Sequence, residues 1–284
     1  KPRLLIAGGD MRQVFCARQL AESFDIYVTG LEDGCASAGI SLKETDLTER
    51  GQFDGIVLPV PPLKDCGEIN APLGRRLTAA ELCPLLKKGG VVFTGRSDVR
   101  LSRMFPQAEI IDYMSREDLS LKNAIPTAEG AVKIALEELP VTLNGLPALI
   151  VGAGRIGSAL AVILRGFGAD VTIAVRNAKG AAKARILGAK SVCTRDMGCD
   201  YRLIFNTAPE LVFKSAELER FSPDTLFIDL ASRPGGIDFD CAEKLGLRTI
   251  WALGLPGKTA PVTAGEIVAE TITAIIEEGG GCHE

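Results

Sequence analysis

The chain has 284 residues, of which 46% are hydrophobic and 24% are charged, and its formal net charge is −4. This length favours two domains over a single core, and the composition is that of a well-buried globular protein, which excludes a disordered chain. The acidic balance creates no field that would attract nucleic acid or an anionic membrane, so we expect neither as a partner.

Residues 1–122 predict an N-terminal α/β domain with an open parallel sheet. Short apolar runs bounded by turn residues predict its strands, and the apolar spacing after the first strand predicts a helix over residues 12–23. The predicted strands cover residues 3–7, 26–28, 53–58, 90–94 and 108–112. Because strands that alternate with helices form parallel sheets, we expect a flavodoxin-like substrate domain whose ligand binds beyond the carboxyl ends of the strands.

Several of these strands are followed by residues that are candidates for a substrate cleft: Asp10, Arg12, Pro59 and Thr94. We predict that Asp10 is catalytic and that Arg12 and Thr94 bind substrate. Asp10 can instead simply cap the helix that follows it, and Arg12 can be a solvated charge in the first helical turn. The Gly8-Gly9 turn is not a second dinucleotide fingerprint, because a third glycine is missing and Asp10 would repel a phosphate.

Residues 123–142 predict a helix that connects two domains. Apolar residues at helical spacing run to about Leu139, and we predict that Pro126 sets the start of this helix and that Thr127 caps it. Glu129 would then lie in the first turn. A single helix often joins α/β domains that close on a cleft, so Glu129 either faces the substrate as a catalytic acid or stabilises the helix N-terminus.

The sequence from Gly152 to Gly157 fills the pattern G-x-G-x-x-G between a predicted strand, 148–151, and a predicted helix, 158–167. The first glycine allows a tight turn, the second lets the backbone approach a pyrophosphate, and the third lets helix and strand pack closely. A further strand at 170–175 completes a β-α-β unit, so residues 143–262 predict a dinucleotide-binding Rossmann domain. The phosphates would lie at the helix N-terminus, against Gly152, Gly154, Arg155, Ile156 and Gly157.

The residues that follow the second strand of this unit bear on the choice of cofactor. An NAD site expects an acid there to bind the ribose 2′-hydroxyl, but this chain has Arg176 and Asn177, and Asp170 lies at the beginning of the strand. A guanidinium can bind a 2′-phosphate and stack on adenine. We therefore predict NADP rather than NAD. The alternative is that Arg176 is a solvated loop charge.

Three further strands, at 201–206, 225–230 and 248–252, are predicted in this domain, and the loops after them should line the nicotinamide pocket. Cofactor contacts are expected from Thr207, Ala208, Pro209, Leu230 and Ala231. Arg233 and Lys258 lie in Gly/Pro-rich loops beside this pocket, and we predict that Arg233 binds an anionic substrate and that Lys258 is catalytic. Both can also be exposed loop charges. Residues 263–284 predict a closing helix that could return to the first domain.

The single histidine is His283, so the His–acid pair typical of hydroxy-acid dehydrogenases is missing. Removal of a hydride from a partly reduced ring fits better, because the gain of aromaticity drives the reaction and only a modest base is needed. The eight cysteines include no C-x-x-C pair, which argues against a metal site and is typical of a reducing compartment. Without a membrane-length apolar run or a secretory leader, we expect a soluble cytoplasmic protein.

Five segments together resemble the A subunit of dipicolinate synthase over essentially the whole chain: residues 8–13, 125–130, 152–157, 229–236 and 254–265. The resemblance implies a sporulation enzyme of the mother-cell cytoplasm that oxidises dihydrodipicolinate to dipicolinate with a nicotinamide cofactor. It also implies a flavoprotein-like partner, the B subunit of dipicolinate synthase, and a small dicarboxylate substrate for the basic loop residues to hold. We expect a homo-oligomer. The fold class expected from the whole sequence is α/β, with two Rossmann-like, doubly wound parallel-sheet domains that flank a cleft and are joined by a helix.

Two other functions remain compatible with the sequence. One is an NADP oxidoreductase similar to shikimate or amino-acid dehydrogenases, which would need a Lys/Asp or His/Asp pair in the cleft. The other is an NADP-binding scaffold whose partner performs the chemistry.

Overall fold

The computed structural model describes residues 1–45, 47–48, 50–96 and 98–280, so Cys282 and His283 lie outside the described residues. The chain divides into two compact units: unit 1 comprises Lys1–Asn123 and Ala260–Glu284, and unit 2 comprises Ala124–Thr259. In the described residues, each unit is built on a six-stranded sheet in which all neighbouring strands are parallel. The predicted fold class, two doubly wound Rossmann-like α/β units, is confirmed.

In both sheets the strand order reverses beside the first strand of the unit. The order in unit 1 is β3-β2-β1-β4-β5-β6, and in unit 2 it is β12-β11-β10-β7-β8-β9. The strands of unit 1 are β1 (Arg3–Ala7), β2 (Asp25–Thr29), β3 (Lys43–Glu44), β4 (Phe53–Val57), β5 (Leu86–Thr94) and β6 (Glu109–Asp112). The strands of unit 2 are β7 (Pro147–Val151), β8 (Asp170–Val175), β9 (Lys190–Cys193), β10 (Leu203–Asn206), β11 (Leu226–Asp229) and β12 (Arg248–Trp251).

Helices connect these strands, and the division between the two units falls within one of them, α5. The helices are α1 (Met11–Leu20), α2 (Glu32–Ala38), α3 (Ala79–Leu82), α4 (Val99–Met104), α5 (Glu117–Glu138), α6 (Arg155–Gly166), α7 (Ala178–Ile186), α8 (Ser215–Leu218), α9 (Phe239–Lys244), α10 (Leu255–Thr259) and α11 (Pro261–Gly280).

The sheet of unit 1 buries apolar side chains on both faces. On β1, Leu4 and Ile6 point towards α1 and α11, whereas Leu5 and Ala7 point into a second cluster that includes residues of α3 and α4. This alternation is what a strand buried on both faces requires. The two helices on the first face approach closely, because a Cβ atom on Gly265 of α11 would lie 2.5 Å from the carbonyl oxygen of Arg12 on α1.

Unit 2 repeats this arrangement with different helices. Ala148 and Ile150 of β7 pack with residues of α5 and α6, and Leu149 and Val151 pack on the opposite face. That opposite face contains three aromatic rings in edge-to-face contact, with centroids 5.2–6.0 Å apart: Phe213, Phe221 and Phe227. In both units, the first strand is therefore fixed in the middle of the core by apolar side chains on both of its faces.

The helix predicted to begin at Pro126 begins at Glu117 instead. Pro126 lies inside α5, where it lacks an N–H for the helical hydrogen bond, so the prediction that it sets the start of the helix and that Thr127 caps it is wrong. Acidic residues in the first turn, Glu117 and Asp118, suit the positive end of the helix dipole. The buried face continues through the proline at helical spacing, and its burial outweighs the local cost: Ala124, Ala128, Ala131, Val132 and Ala135.

Two strands, β3 and β9, have no counterpart among the predicted strands. β3 has two residues and both are exposed, and three of the four residues of β9 are exposed as well. Each lies at the edge of its sheet. Edge strands that pack few apolar residues leave no hydrophobic pattern from which they could be predicted.

Three further findings concern the described residues as a group. Their cysteines are unpaired, and none of their helices combines the length and the apolar composition needed to cross a bilayer. No three of their His, Cys, Asp or Glu side chains are grouped so that they could hold a metal ion.

Burial of Tyr113 and Cys16 is expected to make the stability of unit 1 sensitive to alkaline pH. Both side chains have no exposed surface, and burial raises the pKa of the Tyr113 phenol and of the Cys16 thiol. The Tyr113 hydroxyl donates to the carbonyl oxygen of Leu58 over 2.9 Å, and Nε2 of Gln13 donates to the same oxygen over 3.0 Å. In the unfolded chain the thiol and the phenol would lose their protons from about pH 8.5 and pH 10 upwards, respectively.

Since the folded chain keeps these protons at a pH where the unfolded chain has lost them, the free energy of unfolding is expected to fall as pH rises. Each group contributes a slope of up to about 1.4 kcal/mol per pH unit above its unfolded pKa. Urea unfolding from about pH 8 to pH 11 should show a shallower decline in Tyr113→Phe than in the natural chain. Tyr201→Phe, which removes a hydroxyl from a partly exposed ring, is the control. Equal slopes in Tyr113→Phe and the natural chain would contradict the expectation.

Candidate functional site

The glycine-rich turn between β7 and α6 has a separate use for each of its glycines. Gly152 has a φ of +99°, which favours glycine. A Cβ atom on Gly157 would collide with the carbonyl oxygen of Gly152, so this glycine lets α6 start directly against the strand. Gly154 has an ordinary φ of −75° as the N-cap of α6, and a Cβ atom there would have no neighbour within 4 Å. Gly154 thus leaves space open at the positive end of the helix.

A cavity of about 480 Å³ adjoins this turn, at the carboxyl ends of β7, β8 and β10. This is the point where the strand order reverses, and ligands of doubly wound sheets bind there. The predicted cofactor residues that line the cavity are Gly152, Gly154, Arg176, Asn177, Thr207, Ala208 and Pro209. The remaining ones, Arg155, Ile156, Gly157, Leu230 and Ala231, are not among the lining residues. Ile156 packs against the core, and Leu230 and Ala231 are buried beyond β11.

Cationic side chains surround the end of the cavity beyond β8. Nη1 of Arg176 donates to Oε1 of Glu210 over 2.6 Å, and both side chains are largely exposed. Asn177 caps α7, because its Oδ1 accepts from the backbone N–H of Gly180 over 2.9 Å. Lys179 and Lys183 also line the cavity. Of the described residues lining it, Glu210 is the one carboxylate, and it comes from the loop after β10 rather than from the end of β8.

The two lysines were not singled out from the sequence. They are four residues apart, so on a helix they share one face. That face could have been assigned to the pocket from the helical period alone, because the capping residue Asn177 follows directly on the strand that borders the cavity.

The ends of β10 and β11 carry a buried polar pair that the sequence analysis also missed. Asn206 and Asp229 have no exposed surface, and Nδ2 of Asn206 donates to Oδ1 of Asp229 over 2.8 Å and to the carbonyl oxygen of Ala208 over 3.0 Å. Register supports the pair, because Asn206 and Asp229 are direct neighbours on parallel strands. A polar residue at the last position of each of two adjacent apolar strands was the available signal.

The structure places Arg233 and Lys258 differently from each other. Arg233 is exposed in the loop after β11, with its guanidinium carbon 5.6 Å from the centre of the Trp251 ring. Lys258 is exposed on the short helix α10, so the prediction that it lies in a Gly/Pro-rich loop is wrong. Proline is tolerated in the first turn of a helix, and Pro256 and Leu255 bury the start of α10.

Glu129 is exposed in the middle of α5, so neither a first-turn position nor a role at a helix N-terminus is possible for it. Its neighbour Gly130 is in close contact with α10, because a Cβ atom on Gly130 would lie 2.7 Å from Oγ1 of Thr259. This contact in unit 2 is made by Gly130 and Thr259, which are the sequence neighbours of Glu129 and Lys258.

In unit 1, Asp10 and Arg12 form a tight pair at the start of α1. Oδ1 of Asp10 accepts from the backbone N–H of Arg12 over 3.0 Å, which is the capping role, and the Arg12 guanidinium binds both carboxylate oxygens. Nη2 of Arg12 also donates to the carbonyl oxygen of Val60 over 3.1 Å. Only 18% of the Arg12 side chain is exposed, so Arg12 is not a solvated first-turn charge.

Of the other two candidates of unit 1, Pro59 lies near this pair, whereas the Thr94 side chain points to the opposite face of the sheet. Pro59 adjoins the Gly8-Gly9 turn, since a Cβ atom on Gly9 would lie 3.0 Å from that of Pro59. Thr94 is fully buried, and the alternation along β5 puts it on the same face as Val92, which packs in the cluster opposite α1. The structure thus brings Asp10, Arg12 and Pro59 together and leaves the Thr94 side chain on the other face.

The backbone of Asn70 packs directly against the Gly8-Gly9 turn. The N–H of Gly9 donates to the carbonyl oxygen of Asn70 over 2.8 Å, and a Cβ atom on Gly8 would lie 2.8 Å from the same oxygen. The chain itself therefore uses the donor that a dinucleotide would need at the reversal point of this sheet. This agrees with the missing third glycine of the turn.

Comparison with known proteins gives matches along the whole chain. A family model for the N-terminal domain of the dipicolinate synthase A subunit matches residues 3–114. The A subunit of dipicolinate synthase from Bacillus subtilis (strain 168) is 30% identical over 97% of this chain and 96% of that protein. The crystal structure of the dipicolinate synthase A subunit from Bacillus halodurans is similar with a TM-score of 0.87 and 29% identity, covering 96% of this chain and 97% of that one.

A more distant likeness extends to a transhydrogenase from Sinorhizobium meliloti. Its crystal structure matches with a TM-score of 0.71 and 16% identity over 97% of this chain and 93% of that one. At this identity the comparison shows a shared fold.

Proposed function

The chain belongs to the family of the dipicolinate synthase A subunit, and from this premise we propose that it oxidises dihydrodipicolinate to dipicolinate with NADP as the hydride acceptor. In this proposal unit 2 is the NADP-binding domain and unit 1 is the substrate domain. The observation that carries the proposal is the cavity beside the open Gly154 turn, with three cations around one end.

The residues of the cavity fit a phosphorylated dinucleotide. The N-terminal end of α6 and the space at Gly154 suit a diphosphate. Arg176, Lys179 and Lys183 suit a 2′-phosphate, and no acid ends β8 to accept from a 2′-hydroxyl. Thr207, Ala208 and Pro209 line the side of the cavity next to β10. We propose that five further residues, which do not line the cavity, support those that do: Arg155, Ile156, Gly157, Leu230 and Ala231.

The reaction removes one hydride and one proton from the ring of the substrate. NADP, when bound, supplies the acceptor for the hydride. The proton needs only a weak base, because the ring becomes aromatic. We propose that Glu129 or Asp10 accepts this proton; Asp10 would first have to release Arg12, whereas Glu129 is exposed. We propose that Lys258, which is exposed, is also a catalytic residue.

The substrate carries two carboxylates, and the proposed ligands for them are cationic or hydroxylic. Arg233 is exposed and suited to bidentate binding of a carboxylate. Arg12 and Thr94 are proposed to act from unit 1. Because both are largely or fully buried, side chains around them would have to move before they could reach a substrate.

We also propose that the protein works with the B subunit of dipicolinate synthase, a partner that its family membership implies. We further propose that it is a homo-oligomer and acts in the mother-cell cytoplasm during spore formation. The direct test measures dipicolinate and NADPH formation from dihydrodipicolinate by the purified chain, with and without the B subunit. Turnover of shikimate or a hydroxy acid alone would contradict the proposal. Activity of the B subunit on its own would favour the scaffold function instead.

An Arg176→Asp variant is expected to bind NADPH more weakly by about 1–2 kcal/mol, or roughly five- to thirty-fold, while its affinity for NADH changes little. The expected loss is modest because Arg176 is exposed and must leave Glu210 to bind the phosphate. Isothermal titration calorimetry with both cofactors measures it. Arg185→Asp, which makes the same charge change on α7 at a position that does not line the cavity, is the matched control. Equal NADPH affinities for the two variants would contradict the assignment.

A further inference from the structure

We propose that Asp229 and Trp251 are positioning residues, which hold the loop of residues 231–236 so that Arg233 can bind a carboxylate of the substrate. The inference rests on the proposed function in one respect, the assignment of Arg233 as a substrate ligand. It adds two residues, Asp229 and Trp251, that hold the loop carrying Arg233.

The carboxylate of Asp229 ties together both ends of this loop. Its Oδ1 accepts from the backbone N–H of Ala231 over 3.0 Å, and its Oδ2 accepts from the backbone N–H of Gly236 over 2.7 Å. Asn206 donates to the same carboxylate from the neighbouring strand. A carboxylate without exposed surface is tolerated only when hydrogen bonds satisfy it, so these three donors fix the loop and the carboxylate together.

Two glycines show how closely the loop is packed on this carboxylate. A Cβ atom on Gly236 would collide with the side-chain amide of Asn206. A Cβ atom on Gly235, whose φ is +86°, would lie 2.9 Å from Oδ2 of Asp229. The second half of the loop therefore has little freedom to move relative to Asp229.

Trp251 supports the first half of the loop and the arginine itself. Its Nε1 donates to the carbonyl oxygen of Ala231 over 2.9 Å, and its ring lies under the Arg233 guanidinium at 5.6 Å. The ring of Phe239 stacks on Trp251 with centroids 5.3 Å apart and an interplanar angle of 20°. Phe239 of α9 thus holds Trp251 in place, and Trp251 offers Arg233 an aromatic face.

A cation–π contact uses the face of the guanidinium and leaves its in-plane N–H donors for another partner. Within the described part of the chain, Arg233 forms no ion pair. A carboxylate that binds a guanidinium already held in place loses less conformational freedom, so the binding is stronger than with a mobile arginine. A small ring dicarboxylate is the ligand class that this arrangement suits.

The test uses the whole chain, dipicolinate as the probe and calorimetry as the measurement of affinity. Arg233→Met is expected to weaken dipicolinate binding about tenfold or more, and Asp229→Asn and Trp251→Leu about fivefold each. Trp251→Phe keeps an aromatic face but loses the Nε1 donor to the Ala231 carbonyl oxygen, so it should weaken dipicolinate binding by about two- to threefold, less than Trp251→Leu does. In Arg233→Met, Asp229→Asn and Trp251→Leu, NADPH affinity should change less than dipicolinate affinity. In Asp229→Asn and Trp251→Leu, the KM for dihydrodipicolinate should rise by a larger factor than the KM for NADP.

Trp251 is the one tryptophan of the chain, so its fluorescence reports on this loop without any need for turnover. Dipicolinate is expected to change the emission of the natural chain and to do so only at higher concentration in Asp229→Asn. If Arg233→Met weakens binding but Asp229→Asn and Trp251→Leu do not, the inference is wrong and the role of Arg233 stands. If Arg233→Met binds dipicolinate normally, both the role of Arg233 and the inference are overturned. Equal losses in Trp251→Phe and Trp251→Leu would also overturn it. Oxidation of dihydrodipicolinate by the natural chain tests the proposed function separately.

Discussion

A Gly154→Ala variant is expected to fold as stably as the natural chain and yet to lose most of its affinity for NADPH. The backbone at Gly154 suits alanine, and the added methyl group would meet no protein atom within 4 Å. It would instead occupy the space through which we propose that the diphosphate passes. Displaced phosphates lose charge-assisted bonds to backbone N–H groups, which costs about 1.5–3 kcal/mol, or roughly 10- to 150-fold in affinity. Calorimetry gives the affinity, and thermal unfolding gives the stability.

Gly157→Ala is the matched comparison within the same turn. Its methyl group would collide with the carbonyl oxygen of Gly152, so the turn must shift, and both stability and NADPH affinity should fall. Together the two variants separate an effect on the ligand from an effect on the fold. Normal NADPH binding by Gly154→Ala would mean that the diphosphate does not pass this glycine, and the proposed cofactor site would then be wrong.

Replacement of Asp10 by alanine is expected to lower the free energy of unfolding by about 2–3 kcal/mol. The change removes the cap of α1 and leaves the largely buried Arg12 guanidinium with the Val60 carbonyl oxygen as its partner. Loss of one partner of a buried ion pair costs more than this, but 42% of the Asp10 side chain is exposed, which reduces the cost. Urea unfolding near neutral pH measures the difference.

Asp10→Asn separates the cap from the ion pair, because an amide oxygen can still accept from the backbone N–H of Arg12. It should be less destabilising than Asp10→Ala. The double variant Asp10→Ala, Arg12→Ala should lose less free energy of unfolding than the two single variants lose together, because it no longer contains a buried unpaired cation. Strict additivity of the two changes would show that the pair contributes nothing to stability.

The sequence was informative where structure follows from local chemistry. The bounds of β1 and β8 were predicted without error, because apolar residues buried on both faces end at turn residues on either side. The strand-turn-helix at Gly152 was also predicted, because Gly152 and Gly157 meet steric needs of the backbone itself.

Errors arose where distant residues decide the structure. Pro126 would end an isolated helix, yet α5 continues because its alanine face is buried. Lys258 was expected in a loop because Gly and Pro dominate its neighbours, but burial of Leu255 and Pro256 favours a short helix. Asn206 and Asp229 are 23 residues apart, and only the register of β10 with β11 makes them a pair. The pairing of Asp10 with Arg12, by contrast, is local and could have been predicted from the N-cap position.

The two separate segments of unit 1 have a consequence for synthesis of the protein. Helix α11 packs on α1, so the core of unit 1 combines β1 with a helix that follows all of unit 2 in the sequence. All residues of unit 2 are translated before that helix. On the ribosome, unit 2 can therefore complete its core while unit 1 still exposes the face of α1 that awaits α11. The usual order, in which the N-terminal domain finishes first, would then be reversed.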